Sequence, residues 1–325
     1  MAAGSKEKLI ALAGVAVVAA AVATVLVVLG DAGQRPAASA PEATRTTDAP
    51  TTRRGTEQLP AALVVKIDNV PQARPQTGLG SADAIYVEPV EGGYTRLLAV
   101  YWGKRPSVLG PVRSARETDV ELLAYLRRPV LAYSGSAGKL APILRAADLE
   151  RVTPETAGGA FYRSGVKSIP HNMYVDPREL PRTEPVDLPL TTGPAPEGGK
   201  RAGSHRVEYR NATYDFRWSS VRDRWQISVD GNRMTSTEHG QLAAGTVVVQ
   251  RVRIVAGAGV RDPAGSPSPV ARTVGSGKAT VLRDGRVFQG TWSRASAAKE
   301  TTYRTRGGDP LTLGRGPVWV LLVPA

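Results

Sequence analysis

The stretch ADAIYVEPVEGGYTRLLAVYW, Ala82–Trp102, decides how this chain is read. Its two halves, Ala82–Val90 and Tyr94–Trp102, are apolar runs rich in Val, Ile, Tyr and Leu. Such runs favour strands. Between them stand Glu91-Gly92-Gly93. Two glycines supply the positive φ angles that a tight reversal needs, so the stretch reads as a β-hairpin. Upstream, AALVVKID (Ala61–Asp68) is another strand, and NVPQARPQTGLG (Asn69–Gly80) is a Pro/Gly-punctuated loop.

Downstream comes GPVRSAR, Gly110–Arg116. A helix is expected over Ser114–Arg128, where Val120, Leu123 and Leu126 recur at helical spacing. Ser114 would be its N-cap, with Glu117 three residues on completing a capping box. Pro129–Ser136 reads as a buried strand and AGKLAPILRAAD as a second helix. Ser168–Leu180 would close this first domain, residues 60–180. Residues 181–204 form a Pro/Gly-rich linker. Beyond them the helical period disappears, and short strands alternate with turns such as Asp230-Gly231-Asn232 and Asp284-Gly285-Arg286. Residues 205–325 therefore form a smaller, mostly antiparallel β domain. The expected fold class is α+β: a mixed α/β N-terminal domain, then the β domain, preceded by one transmembrane helix.

That transmembrane helix is Leu9–Leu29, an apolar run in which only Thr24 is polar. At about 1.5 Å per residue it spans one bilayer core, about 30 Å. Lys6 and Lys8 precede it, so residues 1–8 would be a cytoplasmic tip and the rest would face outward. The competing reading is a cleavable signal peptide, with Ala38–Ala40 as the cut site and Pro41 against it. Residues 30–59 lack large apolar side chains and read as a disordered tether. The expected location is the cell membrane, single-pass, with the C-terminal part extracytoplasmic.

The chain has no cysteine. Disulfides, thiolate catalysis, Cys-based zinc sites and a lipid on an N-terminal Cys are thereby excluded. The formal net charge is +13. Residues 181–325 hold 21 basic and 12 acidic residues, most of the excess. An extracytoplasmic basic surface points to an anionic cell-wall polymer or lipid head groups rather than nucleic acid. A competing reading is the codon composition of a GC-rich genome.

The first domain gathers charge at strand ends: Asp68, Arg74, Glu88, Glu91, Arg96, Arg113 and Arg116, with His171 and Asn172 in a Pro-bounded loop. Arg113 and Arg116 offer planar forks suited to carboxylate or phosphate. An anion clamp competes here with structural ion pairs to Asp68, Glu88 or Glu91. A nucleophilic Ser114 is the weakest reading, because a capping hydroxyl is spent on backbone and no GxSxG elbow is present. His171 reads as a general base, a ligand, or a loop residue bonding its own backbone. No metal is expected: HExxH is absent, and arginines already neutralise the carboxylates that would hold Ca²⁺ or Mg²⁺. No cofactor is expected either.

These motifs are familiar as a set. VVKIDNVPQARPQTGLGSADAIYVEPVEGGYTRLLAVYW, GPVRSARETDVELL, YSGS and PHNMY resemble the YerB-like family of bacterial lipoproteins, which carry a domain of unknown function. GSGKATVLRDGRVFQGTWSR and the terminal GPVWVLLVPA continue the likeness. The resemblance runs from about residue 60 to the end, and implies an N-terminal domain followed by a smaller β-rich one. It implies no activity. The chain departs from the family at its front, where the apolar run takes the place of a lipid-bearing Cys.

The functional expectation is an outward-facing protein that binds an anionic or carboxylate-bearing envelope component. Asp68, Arg74, Glu88, Glu91, Arg96, Arg113, Ser114, Arg116, His171 and Asn172 are its candidate ligand-binding residues. The alternatives are an envelope hydrolase using Glu88, Glu91 and His171, or a structural or regulatory partner of another membrane protein.

Overall fold

The computed structural model describes residues 62–102, 105–182, 190–261, 265 and 267–325. The expected transmembrane run Leu9–Leu29 and the tether over 30–59 lie outside the described residues. Among the described residues no helix is long and apolar enough to cross a membrane.

The hairpin forms around Glu91-Gly92-Gly93. Strand β2 (Ala84–Pro89) pairs antiparallel with β3 (Thr95–Tyr101), with Glu88 opposite Arg96. Gly92 and Gly93 take φ of 68° and 76°, which side chains resist. β3 pairs antiparallel on its other edge with β1 (Leu63–Asp68), setting Asp68 opposite Arg96. β4 (Val130–Ala132) and β5 (Glu150–Val152) extend the sheet in parallel beyond β1.

The same sheet continues past β2 into the C-terminal half. Strand Val318–Pro324 lies between β2 and Thr246–Arg261, parallel to both. Gly275–Arg283, Arg286–Arg294 and Thr302–Thr305 follow as antiparallel neighbours. One sheet therefore runs through both halves of the chain. The run VWVLLV has no polar alternation because both of its faces are covered.

Strand parity decides what those faces hold. Val65, Ile67, Ile85, Val87, Leu97 and Ala99 pack against Tyr214, Phe216 and Trp225 of a smaller antiparallel sheet built on Ser204–Tyr209, Ala212–Ser219 and Arg224–Val229. Val64, Tyr86, Leu98 and Val100 turn the other way, onto Leu122 and Leu123 of helix α1 (Glu117–Leu123) and Leu144 of helix α2 (Ala141–Ala146). Each such fully buried aliphatic side chain stabilises by roughly 1.5–3 kcal/mol. Lys66 and Asp68 share Val64's parity, as Glu88 shares that of Tyr86 and Arg96 that of Leu98. All four therefore lie on the helix-covered face.

The α+β expectation is corrected by this architecture. Among the described residues the only α-helices are α1 (Glu117–Leu123) and α2 (Ala141–Ala146), and strands dominate both halves. The helix expected over Ser114–Arg128 is short at both ends. Residues 113–115 are held extended: the Arg113 N–H donates to the Lys66 carbonyl, Ser134 N–H to the Arg113 carbonyl, and Ala115 N–H to the Gly135 carbonyl. At the far end Pro129 disfavours helical geometry in the preceding residue, and Arg128 adopts φ 44°. Ser114 is consequently not the cap. Arg116 occupies the N-cap position, and Asp119 Oδ2 accepts its backbone N–H at 2.7 Å.

Helix α1 is clamped from the C-terminal half. Strand Pro267–Arg272 pairs with the end of Thr246–Arg261 as a ribbon beside the helix. Thr118 Oγ1 accepts the Ala271 N–H at 3.0 Å, and Glu121 Oε1 accepts the Val274 N–H at 3.1 Å. This ribbon brings Val260 and Arg261 over the N-terminal half's charged strand ends.

Candidate functional site

A cleft of about 420 Å³ opens where β1, the β2–β3 turn, the 113–116 segment and the ribbon meet. Asp68, Glu91, Arg96, Arg113, Ser114 and Arg116 line it, joined by Arg261. Val70, Val90, Tyr94, Leu140 and Val260 give it an apolar wall. Four arginines against two carboxylates leave it formally positive.

The arginines are not equivalent. Arg116 is spent: Nε and Nη2 donate to Glu91 Oε2 at 3.1 and 2.8 Å, and Nη1 donates to the Ser114 and Ala115 carbonyls. Burial would raise the Glu91 carboxyl. Hydrogen bonds and charge from Arg116, with a hydrogen bond from Ser268, instead bring it down to about 2. Arg96 is only 8% exposed, yet its one side-chain hydrogen bond among the described residues goes from Nη1 to the Ser114 carbonyl at 3.1 Å. Burial, then the charges of Arg116 and Arg113, lower its pKa to about 10. The Asp68 and Glu91 charges act the other way without reversing this, and the guanidinium keeps N–H groups unspent.

Arg113 Nε lies 3.0 Å from Asp68 Oδ2, an ion pair by distance. The N–H is aimed off the oxygen, and Nε has no hydrogen-bond acceptor. The same Oδ2 lies 2.7 Å from His171 Nδ1. Against a carboxylate oxygen Nδ1 is the donor, and in the neutral ring of that tautomer Nε2 is the acceptor. Asp68 Oδ1 accepts the Asn69 N–H at 2.9 Å, which completes its fixing.

The remaining expected residues are elsewhere. Glu88 is fully buried behind the cleft, where Lys66 Nζ donates to it at 2.7 Å and to Asp119 at 2.6 Å. Burial first, and the Asp119 charge second, push the Glu88 carboxyl up to about 8, outweighing Lys66. Its Oε1 has no partner. Arg74 serves the fold: it reaches Asp230 at 2.6 Å and the Asn69 carbonyl at 2.7 Å, tying the 69–78 loop to the second sheet. Asn172 Oδ1 accepts from Arg163 at 2.7 Å within the loop that carries His171. No group of three His, Asp or Glu side chains among the described residues is placed to hold a metal ion.

Sequence reasoning missed Lys66, Asp119 and Arg261. A lysine inside the run ALVVKID was a legible signal, because a central-strand cation needs buried partners. Nothing local marks Arg261, which reaches the cleft through a pairing more than a hundred residues distant.

Two family profiles match, both described as protein of unknown function (DUF3048): its N-terminal domain over residues 46–185 and its C-terminal domain over 205–320. The chain belongs to this family. Among curated proteins it is 26% identical over 288 residues to "Putative lipoprotein YerB" of Bacillus subtilis, covering 84% of each chain. Among solved structures it resembles the crystal structure of Bacillus subtilis YerB, with a TM-score of 0.71 and 21% identity. That match covers 82% of this chain and 92% of the other, and shows a shared fold.

Proposed function

We propose that this protein works at the outer face of the cell membrane and binds an anionic component of the envelope in the arginine cleft. Its similarity to a protein named as a lipoprotein supports that placement.

The observation that carries the binding reading is Arg96. A guanidinium nine-tenths buried, beside two other arginines and with one hydrogen-bond acceptor, has donors unspent, and the Asp68 and Glu91 charges near it are already paired with Arg113 and Arg116. An anionic guest would supply what it lacks. Arg116 and Glu91 form a wall of fixed geometry, while Arg96 and Arg113 face the guest. Retention on purified envelope material at low salt tests this. R113Q should lose most of the retention with its circular dichroism unchanged, because the Arg113 side chain is partly exposed. Undiminished retention of R113Q would remove the reading.

The Asp68–His171 contact favours a second reading, hydrolysis of an envelope polymer. Asp68 would hold the ring by Nδ1 and leave Nε2 as general base. Glu91, held near pKa 2, is ionised at neutral pH and is no acid catalyst. Glu88 is sealed from the cleft. Only His171 survives from the expected catalytic set. Incubation with peptidoglycan and wall polymers, read by mass spectrometry, should release fragments with the wild type and none with H171Q. No fragments from the wild type at high protein excess would eliminate this reading.

A further inference from the structure

We infer that the guest's anionic group is a phosphate ester of a polyol or sugar, clamped between Arg96 and Arg113. The inference rests on the binding reading above and narrows it to a ligand class.

The donor arrangement distinguishes phosphate from carboxylate. Arg116 is consumed by Glu91 and by two carbonyls, so it contributes charge but no free fork. Arg96 and Arg113 are two separate guanidiniums with unspent donors. A carboxylate has two oxygens, and one guanidinium fork satisfies both. Shared between both arginines, its single charge and two coplanar oxygens leave each guanidinium without a full fork contact. A phosphate ester presents two or three terminal oxygens in a tetrahedron and up to two negative charges. It offers each fork oxygens of its own, together with a second charge. The charge agrees, since four arginines and two carboxylates leave a formal surplus of two at the cleft.

The rest of the cleft describes what the phosphate is attached to. About 420 Å³ is small-molecule size and far exceeds a bare oxyanion. Tyr94 is 39% exposed and stands with Val90 on the wall. An aromatic ring with an apolar neighbour suits the C–H face of a polyol or sugar, and Ser114 and Ser136 supply hydroxyls. A phospholipid headgroup and a phosphodiester-linked polymer both carry this unit.

Isothermal titration with a matched set tests the inference: glycerol 3-phosphate, glycerate, inorganic phosphate and glycerol. Glycerol 3-phosphate should bind at least about tenfold more tightly than glycerate, the worth of the charge-assisted bonds a second fork adds. Inorganic phosphate should bind more weakly, and glycerol not measurably. R113Q should weaken glycerol 3-phosphate by about tenfold or more. R96K, which keeps the charge in the buried position but loses the fork, should do the same and is the safer variant for folding. Glycerate binding as tightly as glycerol 3-phosphate, with the same dependence on Arg113, would overturn the phosphate assignment and leave the anion cleft standing. Binding of either that ignores Arg113 would overturn both. Competition by phosphatidylglycerol vesicles would assign the unit to a lipid, and competition by soluble polyglycerol phosphate to a polymer. Competition by neither would overturn an envelope phosphate ester as the guest.

Discussion

Replacing Glu88 by glutamine probes the charge state of the buried Lys66–Glu88–Asp119 cluster. One ammonium lies within 2.7 Å of two carboxyl groups, all three sealed from water. Burial and the Asp119 charge raise the Glu88 carboxyl from 4.5 to about 8. The folded protein therefore keeps a proton that the unfolded chain has already lost. A raised acid gives its full stability below pH 4.5 and loses it as pH climbs toward 8. The slope is at most about 1.4 kcal/mol per pH unit, so the whole window is worth up to about 5 kcal/mol. Glutamine resembles the protonated acid and can still accept from Lys66. E88Q should cost about 1 kcal/mol at pH 5, for an amide with no better partners. By pH 9 it should be more stable than the wild type by several kcal/mol. Urea midpoints of both proteins at pH 5, 7 and 9 measure this. Parallel profiles would refute the reasoning, because Glu88 would then be ionised throughout with Lys66 able to hold both charges.

Two further outcomes rest on the same geometry. K66M removes the cation that Glu88 and Asp119 share, and should lower stability by about 3–5 kcal/mol at pH 7 by urea denaturation; an unchanged urea midpoint would show that the buried ammonium is dispensable. Glu91 has the opposite sign: its lowered pKa supplies stability above pH 4.5 that disappears as pH falls toward 2. E91Q should therefore flatten the acid limb of the stability profile between pH 4.5 and 2, a difference of about 1–2 kcal/mol after solvent screening; an unchanged limb would show that the Arg116 pair does not hold that carboxyl down.

Local features of the fold were legible and long-range ones were not. Glu91-Gly92-Gly93 declares its hairpin because the turn needs only its own backbone. The Val120, Leu123 and Leu126 spacing reads as four helical turns, and a seven-residue helix followed by a turn packs the same three positions inward, Leu123 and Leu126 buried and Val120 partly so. The helix ends at Leu123, before Pro129 can act on it, and what delayed its start was pairing of residues 113–115 with β1 and the 134–135 loop. The α+β reading failed on the same point, since helix is confined to residues 117–123 and 141–146 while strands dominate both halves. The continuity of the sheet is a pairing between residues 84–87 and 318–321, which no window of sequence contains.

The site shows the same division. Asp68, Glu91, Arg96, Arg113, Ser114 and Arg116 gather because three strand ends and one extended segment meet there. Glu88 seemed equivalent from its place near the hairpin, and parity even puts it on the same face. It is separated by depth: its carboxylate reaches inward to Lys66. Arg74, in a loop beside Asp68, turns to the second sheet, and its partner Asp230 lies 156 residues away.

Arginine side-chain nitrogen NMR during titration with glycerol 3-phosphate tests most directly whether Arg96 and Arg113 are the open donors. The Nε–H signals of these two residues should shift progressively and saturate together, while that of Arg116, tied to Glu91, stays in place. Shifts confined to exposed arginines such as Arg206, or no shift at Arg96 and Arg113 under saturating ligand, would contradict the account.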